Sequence, residues 1–213
     1  IFDADFRPNP DFLLRTVPYF QYEEVGVVQG RWGHLNRDYS HFTKSQTIML
    51  DMFFFIEQQA RSMAGLFLRF NGSGGIWRKK TIEDAGGWSA DTLSEDLDLV
   101  YRAQLRGWAV VYDKEVEAPA ELPVTMVDFK AQQYRWTKGK GQVLRKLNRQ
   151  IRSAKLGVWQ KINIYFDLYN IFVIPSIMVI ALFSIPVSHI LIETDQYDRI
   201  FAWFTISLIN ILL

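Results

Sequence analysis

One stretch constrains this chain more than any other. Residues 168–192 read LYNIFVIPSIMVIALFSIPVSHILI, 25 residues without an Asp, Glu, Lys or Arg. The hydrocarbon core of a bilayer is about 30 Å thick, and about 20 apolar residues at about 1.5 Å each cross it. Pro175 and Pro186 would kink or break a soluble helix, whereas a membrane helix tolerates them because its neighbours re-satisfy the freed backbone. A soluble helix of this length ordinarily keeps a polar face, so the run predicts a membrane span. Residues 193–199 (ETDQYDR) then form a short polar loop, and residues 200–213 begin a second span that the sequence cuts off.

The charge distribution sets an orientation. Residues 129–164 hold ten Lys or Arg and no Asp or Glu, although the net charge of the whole chain is only +1. Basic residues before a span, with an acidic loop after it, place the preceding part in the cytoplasm. Residues 144–152 (LRKLNRQIR) mix apolar and basic side chains at near-helical spacing, which predicts a helix lying on the inner membrane surface. Three zones follow. Residues 1–128 are the globular part, 129–163 a basic amphipathic helical segment, and 164–213 membrane helices with the second one truncated. No cysteine is present, so disulfides and thiolate metal sites are excluded.

In the globular zone short strand-like runs alternate with helix-like ones, which argues for a layered α/β domain. Residues 25–29 (VGVVQ) read as a strand, 48–64 as a helix, and 109–112 (AVVY), entered through Gly107, as a second strand. Ile1 opens the chain in mid-domain, so we expect a fragment of a longer protein.

Four constellations could carry chemistry. Ile1-Phe2-Asp3-Ala4-Asp5 is an apolar run ending in Asp-x-Asp. At the C-terminal end of a strand, residues i and i+2 share a face and two carboxylates could converge. Mg²⁺ or Mn²⁺ accepts such hard oxygen ligands together with substrate phosphates, although Asp-x-Asp alone also serves turns and caps. Ser94-Glu95-Asp96-Leu97-Asp98 predicts a helix capped by Ser94, running to about Arg106 and ended by Gly107. One of its carboxylates could act as a general base. Gln132, Arg135 and Trp136 fall on one helix face, where the forked guanidinium suits phosphate and the indole suits the C–H face of a sugar. The loop Phe70-Asn71-Gly72-Ser73-Gly74-Gly75 lets backbone approach a ligand closely.

Each signal is weak alone, but their order and spacing are not. Asp-Ala-Asp, the Phe-Asn-Gly loop, the Glu-Asp pair, Gln-x-x-Arg-Trp and then membrane helices resemble the processive family 2 glycosyltransferases, which include cellulose, chitin and hyaluronan synthases. Val28-Gln29-Gly30-Arg31-Trp32, Glu83-Asp84-Ala85-Gly86-Gly87-Trp88 and Arg102-Ala103-Gln104-Leu105-Arg106-Gly107-Trp108 look most like bacterial relatives of the glucomannan and xyloglucan-backbone synthases. The one departure is Ser94, where that family usually has Thr.

The resemblance implies a fold and a mechanism. The fold is the C-terminal part of a GT-A type α/β nucleotide-sugar transferase domain followed by transmembrane α-helices, with the upstream nucleobase-binding part absent. The protein would be an integral membrane enzyme of the bacterial inner membrane with a cytoplasmic catalytic domain. Asp3 and Asp5 would hold a divalent metal, Mg²⁺ or Mn²⁺, with Asp5 the direct ligand. Asp96 would be the catalytic base, and Gln132 and Arg135 would bind the donor diphosphate. Trp136 with Asn71, Gly72, Ser73 and Gly74 would line the acceptor site. Partners would be a UDP- or GDP-sugar donor, a polysaccharide acceptor and the lipid bilayer, with no nucleic acid. The competing expectations are non-processive transfer to a lipid or short acceptor and a catalytically silent scaffold.

Overall fold

A computed structural model describes residues 1–169 and 172–193. The chain divides into two compact units, residues Ile1–Leu168 and Tyr169–Leu213.

The first unit is built on a three-stranded sheet of order β2-β1-β3. β1 (Val25–His34) is the central strand. Its run Val25 to Gly30 is buried throughout, as a strand covered on both faces must be. β2 (Gly75–Trp77) pairs with it antiparallel, and β3 (Ala109–Ala120) pairs with it parallel. The expected strand at residues 109–112 is therefore only the first third of β3. Asp113 pairs with Gly30 but Glu117 pairs with Arg31, so the register shifts across the charged residues between them. That bulge hides the strand's continuation from a hydrophobicity reading. From Val116 onward, Val116, Ala118 and Ala120 are buried in alternation. β1 likewise extends past residue 29 to His34.

Helices flank the sheet. After α1 (Phe12–Thr16), α2 (His41–Asp51) begins at Ser40, whose hydroxyl accepts from Thr43 N–H while the Thr43 hydroxyl accepts from Ser40 N–H. This reciprocal pair satisfies two donors that the first turn would leave open. α2 runs on through a π-helical segment (Met52–Gln58) into α3 (Gln59–Met63), so the helix expected at residues 48–64 starts seven residues earlier. α4 (Lys79–Asp84) follows β2. α5 (Glu95–Leu105) ends at Gly107, whose φ of +93° needs a glycine.

α6 (Met126–Ser153) is one helix of 28 residues, and α7 is Val158–Tyr169. The apolar stripe expected against a membrane surface instead packs into the protein. Val143, Leu144, Leu147 and Ile151 join Leu97, Val100 and Tyr101 of α5, and Ile164 and Leu168 of α7, in the largest hydrophobic cluster among the described residues. Burying each such aliphatic side chain contributes about 1.5–3 kcal/mol, so α6 is held to the domain by its apolar face while Lys130, Arg135, Lys138, Arg145, Arg149 and Arg152 are exposed.

In the second unit, α8 (Val173–Glu193) contains Pro186. Among the described residues no helix is long and apolar enough to cross a membrane. The span expected at residues 168–192 takes in residues 170 and 171 and the side chains of 174, 191 and 192, which lie outside the described residues. The span expected from residue 200 onward lies wholly outside them.

Candidate active site

The glycine loop after Phe70 is fixed from below by a side chain of the central strand. Gln29 is fully buried. Its Nε2 donates to the carbonyls of Gly30 (2.8 Å), Ser73 (3.1 Å) and Gly74 (3.1 Å), and its Oε1 accepts from Asn71 N–H (3.2 Å). Trp32 Nε1 adds a bond to Ser73 O (3.0 Å). Gly72 and Gly74 sit at φ +79° and +77°, in the left-handed region that side chains disfavour. Gly74 also packs so tightly that an added methyl would lie 3.0 Å from Ala118 Cβ.

This loop holds the Asp-x-Asp segment. Residues 1–5 form no strand; Ala4 and Asp5 lie in a turn. The Ile1 N–H donates to Gly75 O (2.7 Å) and Ile1 O accepts from Gly74 N–H (3.1 Å), so the apolar start of the segment lies along the glycine loop. Asp3 N–H then donates to the buried Ser73 hydroxyl (2.7 Å). Asp3 and Asp5 are both exposed. Burial, then the Asp5 carboxylate, push the Asp3 carboxyl up, Arg135 opposes them, and Glu95 adds to the rise. Two carboxylates two residues apart offer the hard oxygen donors that such a cation accepts. Among the described residues no group of three or more His, Cys, Asp or Glu could hold a metal ion by itself. The pair thus fits a cation that takes its remaining ligands from a bound diphosphate or water.

Asp96 lies opposite the loop in the first turn of α5. A methyl added at Gly72 would come 3.3 Å from Asp96 Oδ2, so only a glycine lets the carboxylate approach the loop this closely. Burial pushes the Asp96 carboxyl up to about 7, the Glu95 and Asp3 charges add to the rise, and its own and Leu97's N–H groups oppose it. A carboxyl poised near neutrality is what general base catalysis requires. Ser94 occupies the cap position but makes no side-chain cap bond, a correction to the expectation. Its hydroxyl is pressed instead against Gly139 of α6.

The Gln-x-x-Arg-Trp residues lie on α6 as expected. Arg135 is exposed and Gln132 half-buried, and among the described residues neither makes a side-chain hydrogen bond or ion pair. The half-buried Trp136 stands 6.3 Å from Trp32, ring centre to ring centre. The structure thus gathers Asp3, Ser73, Gly72, Asp96 and, through Trp32, Trp136 around one loop. Arg135 is near enough for its charge to act on Asp3. Asp5 is linked to the group only through the charge it places on Asp3. Asn71 Nδ2 and Gln133 Nε2 are buried without partners, and buried donors are rarely left so without a ligand or water to meet them. Sequence reasoning did not assign Gln29 or Trp32 to the site; a polar residue inside the apolar run VGVVQG was the one visible signal.

The family described as Glycosyl transferase family group 2 matches residues 1–213. This chain belongs to that family. It is similar to glucomannan 4-beta-mannosyltransferase 1 of Oryza sativa subsp. japonica, at 42% identity over 180 residues, covering 84% of this chain and 34% of the relative. It is also similar to glucomannan 4-beta-mannosyltransferase 7 of Arabidopsis thaliana, at 41% identity over 180 residues, covering 84% and 32%. The chain therefore spans about a third of the length of these relatives. Among solved structures it resembles mannosyltransferase PcManGT from Pyrobaculum calidifontis in complex with GDP-Man and Mn²⁺, with a TM-score of 0.62 and 18% identity, covering 99% of this chain and 58% of that one. At that identity the likeness establishes the fold, a GT-A-like α/β glycosyltransferase domain.

Proposed function

We propose that this family 2 chain forms part of an inverting mannosyltransferase that uses GDP-mannose to extend a β-linked polysaccharide at a membrane. The observation that carries the reading is the convergence of Asp96, raised to about 7, with the Gly72 loop and the Asp3 segment anchored on that loop. The relatives named for β-mannosyl transfer and the neighbour bound to GDP-Man and Mn²⁺ support the choice of donor.

In this reading the acceptor sugar stacks on Trp136, with Asn71 Nδ2 supplying a donor to a hydroxyl. Asp96 takes the proton from the acceptor hydroxyl as its oxygen bonds to the anomeric carbon. The bond from that carbon to the diphosphate breaks on the opposite face, so an α-linked donor gives a β-glycosidic product. Arg135 and Gln132 bind the diphosphate as it leaves. Asp3 and Asp5 would hold a divalent cation, Mg²⁺ or Mn²⁺, which supplies charge neutralisation to the leaving group. One carboxylate base suffices, in contrast with the paired carboxylates of glycoside hydrolysis. The uncharged run at residues 168–192, preceded by the basic segment, supports attachment to a bilayer with the catalytic unit on the cytoplasmic side. The Gln-x-x-Arg-Trp motif supports processive addition.

The test is Asp96→Asn in the full-length polypeptide in membrane vesicles. Donor binding should persist while polymer synthesis falls at least about 10²-fold, the lower end for loss of a general base. A rate near that of the parent would move the base elsewhere, with Glu95 the next candidate.

A further inference from the structure

α6 does more than carry Gln132, Arg135 and Trp136. Arg135, Gly139, Gln142 and Lys146 recur at i, i+4, i+7 and i+11, hence on one face of the helix. The last three all meet the segment that leads into Asp96. A methyl at Gly139 would lie 2.8 Å from Ser94 Cβ and 2.9 Å from Ser94 N, so the two backbones touch where α5 starts. Gln142 Oε1 accepts from Leu93 N–H (2.8 Å). Lys146 Nζ donates to Asp98 Oδ2 (2.9 Å), Asp91 Oδ1 (2.7 Å) and Ser89 Oγ (3.2 Å).

Asp98 is the centre of this arrangement. Its side chain is fully buried, two residues beyond Asp96, and receives Arg102 Nε (2.9 Å) as well as Lys146. Arg102 in turn donates to the carbonyls of Ala85 and Gly87. A buried carboxylate with two cationic partners is held to one geometry, because moving it away from either leaves charge unpaired. The proposed reaction does not use Asp98, Lys146 or Gln142, and the charges would be costly as packing alone.

We propose that Lys146 and Asp98, with the close contact at Gly139, are positioning residues that lock the base-bearing end of α5 to α6. The lock fixes Asp96 relative to Arg135, and so fixes the acceptor proton's destination relative to the diphosphate. It rests on the assignment of Asp96 as base. Misplacing a catalytic group by about 1 Å can cost 10²-fold, and Lys146 sits at the point where such a shift would be released.

The experiment compares Lys146→Met, Asp98→Asn and the double variant in the full-length polypeptide in membrane vesicles, with GDP-mannose and Mn²⁺. It also measures hydrogen exchange of the amides at residues 93–98. Lys146 is a quarter exposed, so Lys146→Met keeps its packing stem and should fold. The expected result is a fall in kcat of about 10- to 100-fold, donor KM within about twofold, faster exchange at residues 93–98, and no further loss in the double variant, because the two residues act as a unit. A kcat within about twofold of the parent with unchanged exchange overturns the proposal, as does a fall that simply adds in the double variant. If Asp96→Asn stays active while exchange at residues 93–98 still quickens in Lys146→Met, the lock stands and the assignment of the base fails.

Discussion

Replacing Asp167 by alanine probes the buried charge cluster that joins α7 to α3, α5 and the segment before the glycine loop. The Asp167 side chain is fully buried and accepts from Arg69, from the Tyr101 hydroxyl and from Arg61 Nη2 (3.2 Å). Arg69 is 8% exposed and lies two residues before Asn71; burial pulls its guanidinium's pKa down. Removing one partner of a buried pair costs about 3–5 kcal/mol, and an orphaned Tyr101 hydroxyl about 1–3 kcal/mol more. Glu57 offsets part of this, since it also accepts from Arg61 (3.0 Å) and Arg69 (3.0 Å), so we expect a net loss of about 3 kcal/mol. In a unit of this size each kcal/mol shifts Tm by about 2–4 °C, which gives a fall of about 6–12 °C. Thermal unfolding of the purified protein, followed by loss of its tertiary circular dichroism signal, measures it. Asp167→Asn should lose less, because an acceptor remains. Glu57→Gln should lose under about 1 kcal/mol, because that carboxylate is more than a third exposed and screened by water. A Tm within 2 °C of the parent in Asp167→Ala, or a larger fall in Glu57→Gln, would refute the reasoning.

Four further outcomes follow from the site. The kcat/KM for transfer should rise with pH and level off above about 7 as Asp96 loses its proton; a flat profile from pH 5.5 to 8.5 would contradict it. Because the folded pKa exceeds the ordinary 3.8, the folded state binds that proton more tightly. This group's contribution to stability should therefore decline as pH rises from about 4 to about 7, a decline that should vanish from the pH dependence of unfolding in Asp96→Asn. Gln29→Ala removes the donor shared by three carbonyls and should cost about 2–4 kcal/mol, by unpairing buried groups and leaving a cavity; chemical denaturation measures it, and a change below 1 kcal/mol would mean the loop is held otherwise. Gly72→Val puts a branched side chain at φ +79° against Asp96 and should lower transfer at least tenfold, with folding intact by circular dichroism.

Much of this organisation was legible in the sequence, and the parts that were not share a cause. The run VGVVQ announces a strand, and the acids of α5 with Gly107 mark both ends of that helix, because each signal lies within a few residues of its effect. β2 was hidden because its three residues, Gly75 to Trp77, are too few to show a period. β3 was cut short by the charged bulge at Asp113. Ser94 carried the right residue type for a cap, but the close approach of Gly139, 45 positions on, diverted it. The residues of the candidate site stood out as motifs, yet what holds them in place did not. Gln29 acts on carbonyls 44 and 45 residues away, and Lys146 on a carboxylate 48 residues away. No local pattern encodes such pairings. The apolar stripe of α6 could face lipid or protein equally well until α5 and α7 were seen against it.

The most direct test of the central claim is polymer synthesis by the full-length polypeptide in membrane vesicles. Radiolabelled GDP-mannose or UDP-glucose would be supplied with Mn²⁺ or Mg²⁺, and the product digested with β-mannanase or β-glucanase. The account predicts a polymer from GDP-mannose that β-mannanase degrades, that requires the divalent cation, and that Asp96→Asn abolishes. A polymer made from UDP-glucose alone, or a mannan formed at the parent rate by Asp96→Asn, would contradict it.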